Sequence, residues 1–310
     1  MRDVCVKPDE KGVPRFFLNG KPVFLNGLLD QGYWPDGLYT APSDEALVYD
    51  IQTAKRLGYN LLRKHIKVEP MRWYYHCDRL GMLVWQDMPS GGGQYSTLVV
   101  SGPLVTGIHL RDGHYRLFSR QAAQGRDEYR AELDEMVRQL WNAPSLVTWV
   151  PFNEGWGQFD AVSAAKRVLT LDASRPIDHA SGWHDQGAGD FKSLHVYFKP
   201  YRFRPDKKGR AVALTEFGGY NLRLAGHCLS DVDYGYKRFA DKKALWEAYR
   251  RLYETEILPV ISQGLSVAIY TQLSDVEDEL NGVLTYDRKE IKLDADKLEA
   301  LNQRLYDCAK

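Results

Sequence analysis

The hydrophobic positions of the chain alternate between two kinds of segment. Short apolar runs rich in β-prone residues indicate strands, and longer runs with apolar residues three or four positions apart indicate helices. One helical face, for example, is marked by apolar residues recurring from 47 to 57, and Gly58 follows as a stop signal. The pattern predicts strands, most of them separated by helices, at residues 22–28, 59–65, 82–89, 145–154, 176–183, 192–198, 211–217 and 265–272.

This alternation predicts an α/β fold of the (β/α)8 TIM barrel class, with a final amphipathic helix near 295–307. Barrels of this kind reach the length of the chain, 310 residues, without splitting into domains. No internal repeat, low-complexity segment or shift in composition marks a boundary. We therefore expect a single catalytic barrel domain that covers residues 1–310.

One stretch breaks the alternation. Residues 88–125 are irregular and glycine-rich, and they far exceed the usual connection of a few residues. A lid, a binding loop or a partly disordered segment would each fit this composition.

Composition narrows the choice of partner. Lysines plus arginines equal aspartates plus glutamates at 41 each, so no basic field favours nucleic acid or an anionic membrane. No apolar run approaches the roughly 18 residues of a membrane span, and the charged amino terminus lacks the apolar core of a signal peptide. We expect a soluble chain of undetermined compartment.

The four cysteines show no short-spaced pairing, which favours free thiols.

Two glutamates stand out by their position. Glu154, in VTWVPFNEGWG, and Glu216, in VALTEFGG, each end an apolar, β-prone stretch and precede glycine or aromatic residues. Barrels place their chemistry where strands end. A pair of acids at strand ends suits a glycosidase. One acid can protonate the leaving oxygen while the other attacks or stabilises the sugar carbon. Eight tryptophans and 19 tyrosines could supply sugar-stacking surfaces, although core packing accounts for most of them.

Several segments in order along the chain resemble family 2 of the glycoside hydrolases, which contains β-galactosidases, β-glucuronidases and β-mannosidases. The resemblance is carried by FFLNGKPVFLNG, NLLRKH, WYYHCDRLGMLVWQDMP, the Asn153–Glu154 pair, TEFGG and GVLTYDRK. It implies a retaining, β-galactosidase-like enzyme that cleaves terminal β-linked sugars with Glu216 as nucleophile and Glu154 as acid/base. It requires no cofactor and no metal ion. In this mechanism the carboxyls lie about 5–5.5 Å apart, and we expect the charge of Glu216 to raise the pKa of Glu154.

The resemblance also implies roles for neighbouring residues. Asn153 matches an asparagine that binds the sugar 2-hydroxyl, Arg63 an arginine beside the nucleophile, and Tyr197 a tyrosine that donates to it. Tyr270 stands where the family has a tryptophan at the end of strand eight. Further polar or aromatic side chains lie at or just beyond predicted strand ends, where they could contact substrate or simply be solvated: Asp30, His65, Asp87, Trp183 and His195.

The chain departs from the family at several points. GLLDQGYWPDG replaces the histidine and glutamate that follow strand one in many β-galactosidases, and the histidine after strand two comes one residue early. The stretch ELNGVLTYD lacks the lysine with which β-glucuronidases hold a uronate, which disfavours a uronic acid. Family members usually carry β-sandwich domains before the barrel, so we expect an isolated catalytic domain or a piece of a longer parent.

Two other functions stay open at this point. The chain could be a carbohydrate-binding barrel with little or no catalysis, because sandwich domains that complete the cleft are missing. It could instead be a Mg²⁺-dependent barrel enzyme with Asp87, Glu154 and Glu216 as oxygen ligands, since hard cations favour carboxylates.

Overall fold

The computed structural model describes residues 2–309. Its strands are β1 (Val4–Pro8), β2 (Pro14–Leu18), β3 (Lys21–Pro22), β4 (Leu25–Asp30), β5 (Leu61–Lys64), β6 (Leu83–Asp87), β7 (Leu146–Val150), β8 (Phe191–Val196), β9 (Ala211–Gly218) and β10 (Leu265–Thr271). Its helices are α1 (Asp44–Arg56), α2 (Met71–Leu80), α3 (Thr97–Val100), α4 (Gly102–Thr106), α5 (Ala123–Leu140), α6 (Ala161–Leu171), α7 (Lys242–Leu252), α8 (Leu258–Ile261) and α9 (Ala295–Cys308). A π-helical turn, Tyr253–Ile257, joins α7 to α8.

The wall of the barrel is a curled sheet of seven parallel strands in the order β7-β6-β5-β4-β10-β9-β8. These are seven of the eight predicted strands, and the predicted barrel class is confirmed. Helices α1, α2, α5 and α6 follow β4, β5, β6 and β7, and α7 lies between β9 and β10. Each helix packs its apolar face on the outside of the sheet.

The predicted fifth strand, 176–183, is not a regular strand. It makes only isolated bridges to the β7 side, from Ile177 to Trp149 and from Ser181 to Asn153. Towards β8, the Ser193 hydroxyl donates to Asp178 Oδ1 at 2.7 Å and to the Ala180 carbonyl at 3.2 Å. Buried polar side chains thus replace part of the backbone ladder, so the segment completes the wall without regular strand pairing.

An amino-terminal hairpin closes one end of the barrel. Val4 of β1 and Phe16 of β2 join the apolar cluster inside the barrel, which includes the residues that open β5, β8 and β9: Leu61, Phe191 and Ala211. The turn between β2 and β3 is Asn19–Gly20, with φ values of 51° and 78°, as expected for an Asn-Gly hairpin. This apolar plug fills the end where the strands begin and leaves the opposite end for polar groups.

The irregular segment 88–125 connects β6 to α5. It contains the two short helices α3 and α4, and α5 begins at Ala123, just before the predicted end of the segment. The four cysteines, Cys5, Cys77, Cys228 and Cys308, are free. Across residues 2–309, no helix combines the length and the apolar character needed to cross a bilayer.

Replacing the plug residue Phe16 with alanine should destabilise the fold. The side chain is fully buried, and Phe→Ala in a core typically costs about 3–5 kcal/mol in the free energy of unfolding. Urea unfolding followed by circular dichroism would measure it. Phe198→Ala is the matched control, because that ring is 67% exposed and its loss should change stability by about 0.5 kcal/mol or less. Equal losses in the two variants would contradict the assignment of Phe16 to the plug.

Candidate active site

The alternation of side chains along the strands decides which residues reach the inside of the barrel. Leu61, Trp85 and Ile269 belong to the inner apolar cluster. Because side chains two positions apart share a face, Arg63, Asp87 and Thr271 also point inward, at the carboxyl ends of β5, β6 and β10. These ends therefore supply a polar layer above the apolar interior.

Glu216 reaches this layer through an irregularity in β9. Ala211 and Ala213 point inward, so strict alternation would send Glu216 outward. The pairing with β8 shifts, however, from Leu194 opposite Leu214 to His195 opposite Glu216, which places one extra residue in β9. Pairing with β10 shifts at the same place. This β-bulge turns Glu216 inward and leaves Phe217 in the outer layer.

The guanidinium of Arg63 lies at the centre of the polar layer and is fully buried. It donates to both oxygens of Asp87, at 3.0 and 2.9 Å. It also donates to Asn153 Oδ1 at 2.8 Å and to Glu216 Oε1 at 3.2 Å. Burial opposes its charge, but Asp87 and Glu216 raise the pKa of Arg63, so the cation is permanent. One group thus fixes side chains from three parts of the barrel.

The second oxygen of Glu216 accepts a hydrogen bond from the hydroxyl of Tyr197. That hydroxyl also lies 3.1 Å from Thr271 Oγ1. Burial, together with the charge of Glu216, raises the pKa of Tyr197 well above its usual value, so the hydroxyl keeps its proton and remains a donor. Both residues that the resemblance places beside the nucleophile, Arg63 and Tyr197, therefore contact Glu216.

Glu154 stands on a tight turn beyond the end of β7. Its backbone has a φ of 48°, and Gly155 and Gly157 follow with φ values of 73° and 64°. A Cβ on Gly155 would lie 2.6 Å from the ring of His184, so the position requires glycine. The backbone N–H of Glu154 donates to the Ser181 carbonyl at 2.9 Å, which ties the turn to the irregular fifth segment.

The carboxyl of Glu154 is in contact with His195. The ring Nδ1 lies 2.6 Å from Glu154 Oε1 and 3.5 Å from Glu216 Oε2. Burial is the main cause that lowers the pKa of His195 to about 3, so the ring is neutral. Its Nε2 lies 3.5 Å from the Arg63 Nη1 donor, so the ring proton is on Nδ1 and is donated to Glu154. Trp156 Nε1 donates to the other oxygen of Glu154 at 3.5 Å. One atom each of Glu154, His195 and Glu216 lie within 4.8 Å of one another.

Burial raises the pKa of Glu154, while the charges of His65 and Arg63 and the hydrogen bond from Trp156 act in the opposite direction. The predicted direction of the shift agrees with the structure, but the cause differs. We expected repulsion from Glu216, and desolvation is responsible instead.

His65, Asp87 and Trp183 also lie at the site. His65 Nδ1 is 3.2 Å from Asp87 Oδ2, and the ring of Trp183 lies 5.5 Å from that of His195. Both Asp87 oxygens are engaged by Arg63 and His65, so Asp87 positions its neighbours. The three-carboxylate arrangement required by the Mg²⁺ hypothesis is therefore not assembled.

The structure does not bring Asp30 and Tyr270 to the site. Their neighbours Leu29 and Ile269 point inward, so both side chains point to the outer layer. Asp30 accepts from Lys64 Nζ at 2.6 Å, and the Tyr270 ring packs between strands and helices.

Three further residues near the site, Gln272, Tyr236 and Glu279, are not among the candidates selected from the sequence. Gln272 directly follows β10, a strand-end position like those of the other candidates. Tyr236 and Glu279 come from long loops, where no periodicity indicates the direction of a side chain. The Tyr236 ring lies 5.3 Å from that of Tyr197, and Glu279 Oε2 accepts a hydrogen bond from Gln272 Nε2.

Comparison with known proteins supports the fold and the family. A β-galactosidase of Vibrio vulnificus is 26% identical over 175 residues, which cover 56% of this chain and 15% of that protein. A β-galacturonidase of Eisenbergiella tayi, solved with galacturonate, superposes with a TM-score of 0.70 at 16% identity, over 97% of this chain and 54% of that one.

A β-D-glucuronidase of Dictyoglomus thermophilum gives a TM-score of 0.70 at 15% identity, over 98% of this chain and 54% of that one. The chain thus spans about half the length of these solved structures, and at such identities they show the fold alone. A family model described as "Glycosyl hydrolases family 2, TIM barrel domain" matches residues 11–211. The chain therefore belongs to family 2 of the glycosyl hydrolases.

Proposed function

We propose that the chain is a retaining β-glycosidase in which Glu216 is the nucleophile and Glu154 the acid/base. The observation that carries this proposal is the unequal environment of two adjacent carboxyls, whose oxygens lie within 4.8 Å of each other. Retaining enzymes hold the two groups about 5–5.5 Å apart, whereas inverting enzymes need about 6.5–9.5 Å to admit a water. The short separation favours retention.

In the first step, Glu216 attacks the anomeric carbon and Glu154 protonates the departing oxygen. Arg63 and Tyr197 both donate hydrogen bonds to the carboxyl group of Glu216, so the attacking group is fixed in orientation. Glu154 is buried enough to have a raised pKa, which suits a group that must deliver a proton. A bond forms between Glu216 and the sugar as the bond to the aglycone breaks.

In the second step, Glu154 takes a proton from water, and the water oxygen attacks the anomeric carbon and releases Glu216. The neutral ring of His195 donates to Glu154 Oε1 and so supports its ionised form between the two steps. Asn153, which accepts a hydrogen bond from Arg63, binds the sugar 2-hydroxyl in this proposal. The name of the Vibrio relative supports a β-galactoside-like substrate.

Removing either glutamate should abolish most turnover. With an aryl β-glycoside, Glu216→Ala should lower kcat by at least about 10³-fold, and Glu154→Ala by about 10²–10⁴-fold. Azide should rescue the two variants with opposite product stereochemistry, α-glycosyl azide from Glu216→Ala and β-glycosyl azide from Glu154→Ala. Initial rates and product analysis by NMR measure both effects.

Glu299→Ala is the control for this experiment, because Glu299 is exposed on α9 and should leave the rate unchanged. Unchanged turnover in both active-site variants would contradict the proposal. Sugar binding by calorimetry with no hydrolysis of any aryl glycoside would also contradict it, in favour of a binding barrel. Loss of activity with a chelator would point to a cation between Glu154, His195 and Glu216.

The pH profile should reflect the acid role of Glu154. The proton-bearing form is active in the first step, so kcat/KM should fall as pH rises through the pKa of Glu154. Because burial raises that pKa, the alkaline limb should lie above about 4.3, the ordinary value for glutamate. On an aryl glycoside that wild type hydrolyses with this limb and that Glu154→Gln still turns over measurably, the variant should lose the limb. A limb that persists in the variant would assign it to another group.

A further inference from the structure

The irregular connection between β6 and α5 packs against the turn that carries Glu154. Tyr95 of this connection lies edge-on against the ring of Trp156, with the ring centroids 4.9 Å apart. A Cβ on Gly155 would lie 3.1 Å from the side chain of Val99. Trp156 in turn donates to Glu154, so a single ring separates the connection from the carboxyl group that we assign as the acid/base.

Gly157 is a point where the two backbones meet directly. A Cβ at this position would lie 1.7 Å from the carbonyl oxygen of Gly91 and 3.0 Å from Arg120 Nε, so only glycine fits there. The space is used for a hydrogen bond, because Arg120 Nε donates to the Gly157 carbonyl at 2.7 Å. Arg120 thus holds the backbone three residues beyond Glu154.

Arg120 differs from the other buried arginines in its partners. Each of the others forms an ion pair with an aspartate: Arg63, Arg175, Arg210 and Arg288. Within residues 2–309, no carboxylate pairs with Arg120, and its Nη2 accepts no partner for a hydrogen bond. The guanidinium lies instead over the rings of Tyr129 and Phe159, 4.8 and 5.2 Å from their centroids. Contact with aromatic faces offsets part of the cost of burying the charge.

Packing alone does not account for an arginine at this position. A buried guanidinium without a counter-ion is costly, and an apolar side chain of similar length could cover the same two rings. Such a side chain could not donate to the Gly157 carbonyl. A planar guanidinium, oriented by Tyr129 and Phe159, presents its Nε–H in a fixed direction. The hydrogen bond to the Glu154 turn is therefore what distinguishes Arg120 from an apolar substitute.

We propose that Arg120 is a positioning residue for the acid/base: it fixes the turn at Gly157 and so holds the carboxyl of Glu154 at the leaving oxygen. This inference rests on the proposed glycosidase function and adds a residue to its first step. Misplacement of a reacting group by about 1 Å can cost about 10²-fold in rate, so loss of this hydrogen bond should appear as slower proton transfer. The irregular segment 88–125 then serves to support the acid/base turn.

The test uses two leaving groups of different acidity on the same sugar. Phenol needs the proton of Glu154 to depart from a phenyl β-galactoside, whereas 2,4-dinitrophenol hardly needs it. Arg120→Gln should lower kcat/KM about 10–100-fold on the phenyl glycoside and less than about 3-fold on the dinitrophenyl glycoside. Initial rates at one pH measure both. A variant that only destabilised the fold would lower both values alike.

Arg126→Gln is the matched control. Arg126 also lies over a tyrosine ring, 4.0 Å from the centroid of Tyr115, and donates to the carbonyls of Arg120 and Gln121. Within residues 2–309 it forms no hydrogen bond with the Glu154 turn, so both substrates should stay within about 2-fold of wild type. If Arg120→Gln does not fold, Arg120→Lys replaces it with the same expectation, because lysine keeps the charge but lacks the planar donor.

Hydrogen exchange measured by mass spectrometry adds a readout that needs no turnover. The backbone N–H groups of Glu154, Trp156 and Gln158 each donate a hydrogen bond. Exchange over residues 153–158 should therefore be about 10-fold faster or more in Arg120→Gln and unchanged in Arg126→Gln. Equal losses on the two glycosides, or unchanged exchange in Arg120→Gln, would overturn the inference. If wild type hydrolyses neither glycoside, the proposed function fails, and the exchange rates alone decide whether Arg120 holds the turn.

Discussion

The site depends on one buried cation. Arg63 lies inside the barrel, directly above the apolar layer that contains Leu61 and Trp85, where an unpaired guanidinium would be very costly. The position is tolerable only because Asp87, Asn153 and Glu216 all accept from it. Those bonds orient the three side chains at the same time. A buried ion pair of this kind is weak evidence for stability, and its clear effect here is on geometry.

The same cation makes the two glutamates unequal. Glu216 forms an ion pair with Arg63, whereas Glu154 contacts the neutral ring of His195. The charge of Arg63 acts on Glu154 only at longer range. The two identical side chains therefore have different surroundings: a buried cation contacts Glu216, and burial raises the pKa of Glu154. The division of roles that we propose follows from the position of each glutamate in the barrel, since both are the same type of residue.

Much of this arrangement is readable in the sequence, and the failures share a cause. The strand pattern locates seven wall strands, and the strand ends locate Arg63, Asp87, His195 and Glu216. The pattern does not determine which face a strand-end residue occupies, so it suggests Asp30 and Tyr270 as site residues although alternation turns both side chains outward. It also does not reveal the bulge that turns Glu216 inward, because the bulge is set by the pairing of β9 with β8 and β10, which the pattern of apolar positions within β9 does not show. Glu279 begins the stretch ELNGVLTYD, but its contacts with Gln31 and Gln272 cannot be read from the strand pattern because it lies outside the strands.

The irregular parts of the barrel coincide with the chemistry. Glu154 has a positive φ, Glu216 sits on a bulge, and the segment between β7 and β8 has only isolated bridges. A regular ladder at these places would align the backbone but would point neither glutamate at a common substrate. The cost of such irregularity has to be offset elsewhere in the fold. The apolar plug at the opposite end, built from strand residues and sealed by Phe16, supplies part of this offset through the burial of apolar surface.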